Sequence, residues 1–495
     1  MTSETNPAAL RQAMARLHTW TGLLFGWMLY AMFVTGAVSY FREEISQWMR
    51  PEIPVLERQP DAATSAARAV AGMQQLAPGA SQWVIDLADE RGNTVEVSWR
   101  AGDVQGRAML DPLTGKPVLA RETQGGEFFY YFHFSLHYLP RALARWLVGL
   151  ATMFMLVALV SGVITHKKIF ASFFTFRPGK GQRSWLDAHN VLSVTALPFH
   201  LMITYSGLVT LMTLYMPWGA DSAADPQRTG QLLRAEMRAL VPPGAPSGIA
   251  APLPDLGPML HEGERGWGVS RVGRLVVDNP GDAASRVRVV RGDEGRVSIS
   301  PRYLAFDAHD GALREARDRS PPVTETWGVL YGLHVARFAD PGARWLFFLS
   351  SLVGAAMVAT GLVLWTTKRF AKQARDGRQG LWAPLVARLN VAAVAGLPVA
   401  MAAFLWGNRL LPAGLAGRSA WEIHLFFIAW GLTLLHAIAR PARRAWPEQF
   451  ATAALLCAVL PLWTTLAGHR FAGFELALLG VAALLAVLAF RSRRA

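Results

Sequence analysis

The chain is written twice, and that duplication limits the folds open to it. His18 is followed eighteen residues later by Gly36 of a Thr-Gly pair, inside an apolar run of helix length. His189 is followed at the same spacing by Gly207 of Ser206-Gly207, in a second such run. A second pair of segments also repeats. Leu136-His137 leads through Arg145-Trp146-Leu147 to Ser161-Gly162, and Leu333-His334 leads through Arg344-Trp345-Leu346 to Thr360-Gly361. Each half therefore reads as helix, extramembrane insert, helix, with a histidine near the start of each helix. Internal repeats of this kind are common in membrane folds with a pseudo-two-fold.

Of the 495 residues, 52% are hydrophobic. A bilayer-spanning helix needs about 20 mostly apolar residues. The sequence predicts eight, over 19–41, 141–165, 188–216, 344–366, 383–408, 420–438, 450–467 and 473–490. The net charge of +14 argues weakly for nucleic acid, because the cations cluster at span ends as the positive-inside rule requires. Lys167, Lys168, Arg177, Lys180 and Arg183 follow the second span. Lys368, Arg369, Lys372, Arg375 and Arg378 follow the fourth; Arg440, Arg443 and Arg444 the sixth; Arg491, Arg493 and Arg494 close the chain. All fall on one side if both termini are cytoplasmic, and the inserts 42–136 and 217–340 then face outward. The first apolar run lacks a small-residue cleavage site and reads as a retained span. The lone cysteine, Cys457, lies in an apolar run and rules out disulfides and Cys-rich metal sites within the chain.

Within the first insert, runs 83–87 and 94–99 flank Arg91-Gly92-Asn93 and predict a hairpin. Asp111 to Gly115 predicts a tight turn between strands, and Asp307 to Gly311 repeats it. Asp111 lies 26 residues before His137 and Asp307 lies 27 before His334, so the duplication extends to the inserts. Residues 241–258, rich in Pro and Gly, predict a loop. The last four spans show no copy of the repeat in this reading. The domain plan is an N-terminal segment with the first span (1–41), first insert (42–136), two spans around a cytoplasmic loop (137–216), second insert (217–340), fourth span (341–367), and a loop with four added spans (368–495).

Ionisable side chains inside spans are costly and face the bundle interior. His18 and His189 sit at the cytoplasmic ends of spans one and three, His137 and His334 at the outer ends of spans two and four. Two imidazoles at equal depth on facing helices suit a six-coordinate haem b. His166 lies about 43 Å from His137 along the helix, so the inner pair is drawn from His18, His166 and His189. His200, eleven residues after His189, is open to a central haem, a propionate contact, or a bonded histidine beside Pro198. Gly36, Gly162, Gly207 and Gly361 serve either close helix approach or a flat macrocycle. Arg145-Trp146 and Arg344-Trp345 read as interfacial anchors, Tyr130 and Trp327 as packing residues, and His424 and His436 as structural. No glycine-rich nucleotide loop is present, so electrons must come from a separate cytoplasmic reductase or from quinol.

The segment Arg16 to Leu23, the Asp111-to-Gly115 turn, Leu136-His137 and Trp185 to Asn190 together resemble the PepSY-associated transmembrane helix family. That family includes bacterial inner-membrane ferric-siderophore reductases, and the resemblance covers about residues 10–370. It implies a mainly α membrane protein with a duplicated four-helix haem-binding core. Two periplasmic α+β PepSY-like inserts and four additional C-terminal spans complete it. It also implies an oxidoreductase of the inner membrane with two b-type haems, passing electrons outward to ferric siderophore or another ferric chelate. The ligand role falls on His18, His137, His189 and His334, with His166 and His200 as further candidates. Competing readings are a non-redox PepSY membrane module that binds peptide or modulates a protease, and a repeat-built transporter.

Overall fold

The computed structural model describes residues 7–166, 176–216, 222, 224–237, 239–240, 243–269, 271–377, 380–468 and 472–493. Lys167, Lys168, Arg378, Arg494 and His469 lie outside the described residues. In chain order the helices are α1 (Pro7–Ser39), α2 (Arg42–Trp48), α3 (Ala62–Leu76), α4 (Glu127–Ser135), α5 (Arg141–Thr165), α6 (Gln182–Thr195), α7 (Leu197–Thr210) and α8 (Met212–Tyr215). They continue as α9 (Pro226–Glu236), α10 (Gly257–Trp267), α11 (Pro322–Val335), α12 (Pro341–Asp376), α13 (Trp382–Val394), α14 (Gly396–Leu410), α15 (Arg418–Ala439), α16 (Ala442–Leu466) and α17 (Ala472–Arg493).

The chain is a multi-pass membrane protein. Among the described residues, seven helical stretches are long and apolar enough to cross a bilayer: α1, α5, α12, α13 with α14, α15, α16 and α17. An eighth candidate, α6 with α7, is bent by 68°. The expected span over 188–216 is thus broken into two helices. Pro198 has no N–H to offer the carbonyl four residues back, and its ring crowds that turn, so the helix breaks at Ala196.

A milder interruption recurs at Ala395, before Leu397-Pro398, where α13 and α14 still run as one span. Asn190, Val191, Val194, Leu197, Pro198 and Gly207 are matched at an offset of 200 by Asn390, Val391, Val394, Leu397, Pro398 and Gly407. The added spans thus carry a third, partial copy of the repeat, with Leu389 where His189 stands. In the copy, the carbonyl of Val394, deprived of its donor by Pro398, accepts from Tyr30 Oη at 3.1 Å.

Contacts divide the chain into two compact units. The first contains residues 1–50, 121–211 and 341–495. In it α1 packs between α5 and α12, α6 lies on α12, and α5 on α7. The added helices join this group through α13, which touches α12 and α1. Helices α2 and α4, expected in the first insert, belong here. Phe128, Phe129 and Phe132 of α4 are buried against Phe404 and Phe426.

A polar cluster fastens the added spans to the segment before α4. Arg418 and Glu422 on α15 are both fully buried and paired. Glu422 also accepts from Thr123 Oγ1 at 2.5 Å and from Asn408 Nδ2 at 2.8 Å, and Arg418 donates to the Glu122 carbonyl at 3.0 Å.

The second unit contains residues 51–120 and 212–340. The two inserts, expected as separate domains, share one seven-stranded sheet in the order β3-β2-β1-β4-β5-β6-β7, every pair antiparallel. The strands are β1 (Gln82–Asp86), β2 (Val95–Ala101), β3 (Val104–Leu110), β4 (Val272–Asp278), β5 (Arg286–Arg291), β6 (Tyr303–Asp307) and β7 (Leu313–Arg317). Neither insert buries its own central edge; β1 and β4 bury each other's, in register Val84 to Val276. Trp83, Ile85, Leu275, Val287 and Val289 form the core with Met73 of α3 and Leu260 of α10. The predicted hairpin forms, with Trp83 opposite Trp99. The twin turns also form: Asp111 Oδ1 accepts from Leu113 N at 2.7 Å, Asp307 Oδ1 from His309 N at 3.0 Å, and Gly115 and Gly311 both take φ +69°.

Removing one partner of a buried ion pair leaves an uncompensated charge. Glu422→Gln is expected to destabilise the first unit by about 3–5 kcal/mol. Thermal unfolding of the detergent-purified chain measures it, and an unchanged midpoint refutes the assignment.

Candidate functional site

Three histidines of the first unit are seated in the same way, each on one of three of the four Thr/Ser-Gly pairs. His18 Nδ1 bonds the Ala158 carbonyl at 2.8 Å, and its ring lies on Gly162. His189 Nδ1 bonds the Met357 carbonyl at 2.9 Å, and its ring lies on Gly361. His133 Nδ1 bonds the Met32 carbonyl at 2.7 Å, and its ring lies on Gly36. In each case the carbonyl is four residues before the glycine, one turn away on the same helix face. A helical carbonyl already bonded along its helix keeps a second lone pair. Without a Cβ on the glycine, that lone pair is open to an imidazole from the neighbouring helix. A Cβ added at Gly36, Gly162 or Gly361 would fall 2.8, 3.2 or 3.1 Å from the histidine ring. These glycines therefore make room for imidazoles, a role distinct from the two expected of them.

The end of the bundle that holds the start of α6 brings two of the three residues expected at the inner level together. The His18 and His189 ring centroids are 6.1 Å apart, with planes at 65°. Each Nδ1 is committed to a backbone carbonyl, which fixes the tautomer with the proton on Nδ1 and leaves the Nε2 lone pair free. Two imidazole nitrogens each about 2 Å from one metal ion would hold their ring centroids about 6 Å apart. The residues present thus fit a metal centre with two imidazole ligands. His166 takes another position: its Nε2 meets Asn190 Nδ2 at 2.9 Å, one residue from His189, and its Nδ1 is buried without a partner among the described residues.

His133 was not among the expected site residues. It reaches α1 at Gly36, eighteen residues or about 27 Å beyond His18. The sequence signal for it is its distance to the next proline. His133 precedes Pro140 by seven residues and His334 precedes Pro341 by seven, so His133 is the repeat counterpart of His334. Aligning on the Leu-His pairs had selected His137 instead. The structure places His137 in the α4–α5 loop, stacked on Phe427 at 5.7 Å and beside Tyr138 at 4.3 Å. Burial and the nearby His424 imidazole hold its pKa below the ordinary value. His334 lies in the last turn of α11, in the second unit.

His200 is fully buried in the first turn of α7, edge-on to Phe33 at 6.0 Å and beside the Ser350 backbone. Of the two histidines expected to be structural, His424 receives Tyr138, and His436 Nε2 meets Glu448 at 2.9 Å. Trp146 and Trp345 are 50% and 44% exposed at helix ends, as interfacial anchors require.

A family model described as the PepSY-associated TM region matches residues 15–368. No curated protein matches the chain.

The glycine seat is testable. Gly361→Ala drives a methyl group into the His189 ring, and overpacking of this kind costs about 1–3 kcal/mol. The variant is expected to weaken whatever the His18–His189 pair holds by roughly 5- to 150-fold. A metal or porphyrin titration of the purified chain measures this; wild-type affinity in Gly361→Ala would show the seat to be inconsequential.

Proposed function

The chain belongs to the PepSY-associated TM family, and from that premise we propose that it is a haem-dependent oxidoreductase of the bacterial inner membrane. In this reading it carries electrons from a cytoplasmic reductase or from quinol to ferric iron, held in a siderophore or another chelate, on the periplasmic side. The observation that carries the reading is the His18–His189 pair: two imidazoles on facing helices, 6.1 Å apart, each oriented through Nδ1 and open at Nε2.

A b-type haem bound there supplies a one-electron couple whose potential depends on ligands, hydrogen bonding and burial. The chain's own residues do the rest. The Ala158 and Met357 carbonyls hold the rings at a set orientation and raise the basicity of each Nε2. Asn190 ties His166 to the residue after His189. The second haem is assigned to the outer level of the first unit, with His133 as its ligand there; His334 is the sequence counterpart of His133 in the second unit. His133 displaces His137 in this assignment because only His133 shares the carbonyl-and-glycine seat. His200 stays available at the bundle interior. In this reading the shared sheet of the inserts is the PepSY-like part. Reduction at the outer face loosens the chelate, because hard oxygen donors hold Fe(III) far better than Fe(II).

The purified chain is expected to be red, with a Soret band that shifts on dithionite and two haems per chain by pyridine haemochrome. His18→Ala and His189→Ala should each remove one haem, as should His133→Ala, while His137→Ala should retain both. A colourless chain from haem-supplemented cells would end the redox reading in favour of a peptide-binding module. Loss of haem in His137→Ala with none in His133→Ala would reverse the outer assignment.

A further inference from the structure

The second unit contains a concentration of positive charge that its own acids do not neutralise. Residues 292–302 connect β5 to β6. Arg291, Arg296 and Arg302 lie on or beside this loop, and Arg271 and Arg337 approach it. Five guanidinium groups thus face three carboxylates. Asp293 pairs with Arg337 at 3.0 Å, Glu294 with Arg271 at 3.7 Å, and Glu325 with Arg296 at 3.7 Å. Arg291 donates to the Gly292 carbonyl at 3.3 Å, with Asp293 as its nearby acid. Among the described residues the Arg302 guanidinium has no hydrogen-bond or ion-pair partner, and its Nε is buried; the Arg296 Nε is also buried and unpartnered.

A buried donor without an acceptor carries its full desolvation cost. Here that cost coincides with like-charge repulsion. Burial, and then the neighbouring Arg302, hold the Arg296 guanidinium down to about 10. Arg291 is lowered by burial, Arg302 and Arg271. Ser298 and Ser300 supply hydroxyls in the same place: Arg296 donates to the Ser300 carbonyl at 2.7 Å, and Ser298 Oγ to Ser300 Oγ at 3.0 Å.

The loop is held against α11. Ile299 N donates to the Gly328 carbonyl at 3.1 Å. A Cβ at Gly328 would fall 2.8 Å from Ser300 N, and one at Gly332 would fall 1.7 Å from the Val297 carbonyl. Gly332 is two residues before His334, so the arginine loop is fixed to the helix turn that carries a candidate ligand.

We propose that loop 292–302 with Arg291, Arg296 and Arg302 is an oxyanion site that receives a carboxylate group. The planar guanidinium fork matches a carboxylate in bidentate fashion and supplies the missing counter-charge. On the redox reading above, the carboxylate arrives on an anionic ferric chelate.

The test uses the detergent-purified full chain, with citrate and ferric citrate as probes in calorimetry at low ionic strength. Haem content by pyridine haemochrome is measured in parallel. Wild type should bind citrate, and Arg302→Gln should weaken it by about tenfold or more. Arg107→Gln, on the exposed far strand, should leave it unchanged. Weaker citrate and ferric citrate with haem retained assigns the carboxylate to a chelate. If Arg302→Gln does not fold, Arg302→Lys, which keeps the charge and loses the fork, should still lower affinity severalfold. The proposal fails if wild type binds no citrate, or if the Arg302 variants bind it as tightly as wild type. A colourless wild type would sink the redox reading alone, since citrate binding is read without haem.

Discussion

The first unit depends on how an imidazole can be held inside a helical bundle. A buried histidine needs an acceptor for its N–H, and helix backbones have already spent their carbonyls on their own ladders. The solution used three times is the second lone pair of a carbonyl laid bare by a glycine one turn later. The carbonyls of Ala158, Met357 and Met32, with Gly162, Gly361 and Gly36, each take one ring. The preceding Ser161 and Thr360 hydroxyls turn back onto their own helix, bonding carbonyls three or four residues earlier. They share the ring's acceptors: Ser161 Oγ reaches the Ala158 carbonyl at 3.2 Å and Thr360 Oγ1 the Met357 carbonyl at 2.9 Å. A backbone anchor of this kind orients a ligand without introducing another side chain, and it leaves Nε2 as the reactive nitrogen.

Proline organises what the glycines leave open. Pro198 breaks the third span where His200 enters the interior, and Pro398 more mildly interrupts the corresponding added span. The first break stands beside the histidine sites. The second has lost them, with Leu389 at the position of His189, and has turned its freed carbonyl and Asn390 toward α1 and α12: Trp27 donates to Asn390 at 2.8 Å, and Asn390 to the Leu362 carbonyl at 3.2 Å. The added helices thus read as a copy of the core element converted from ligation to support. The Arg418–Glu422 cluster gives that support a second fastening.

The second unit solves a different problem. Each insert alone is a small sheet with an exposed central edge, a liability in water. Pairing β1 with β4 removes both edges and gives the two halves one core under α3 and α10. The duplication seen in the twin Asp-to-Gly turns is therefore also the reason the unit exists: similar half-sheets meet along equivalent edges.

Much of this was legible in the residues. Apolar runs of bilayer length, cations at alternate ends, the hairpin at 83–99 and both Asp-to-Gly turns follow from period, charge and local backbone preference, all carried by neighbours in sequence. The approximate depths of His18 and His189 follow from the repeat as well. What sequence could not decide is every contact between distant segments. His133 and His137 differ by one helical turn, and only packing on Gly36 shows which of them enters the bundle. His166, His18 and His189 share a depth, and only the facing of α1 and α6 brings two of them to 6.1 Å. The joining of two inserts into one sheet and the gathering of Arg271, Arg291 and Arg302 likewise depend on residues far apart in the chain. Local order is set by forces that act over a few residues. Which side chain meets which across the bundle or sheet is set by where whole elements can bury their surfaces together.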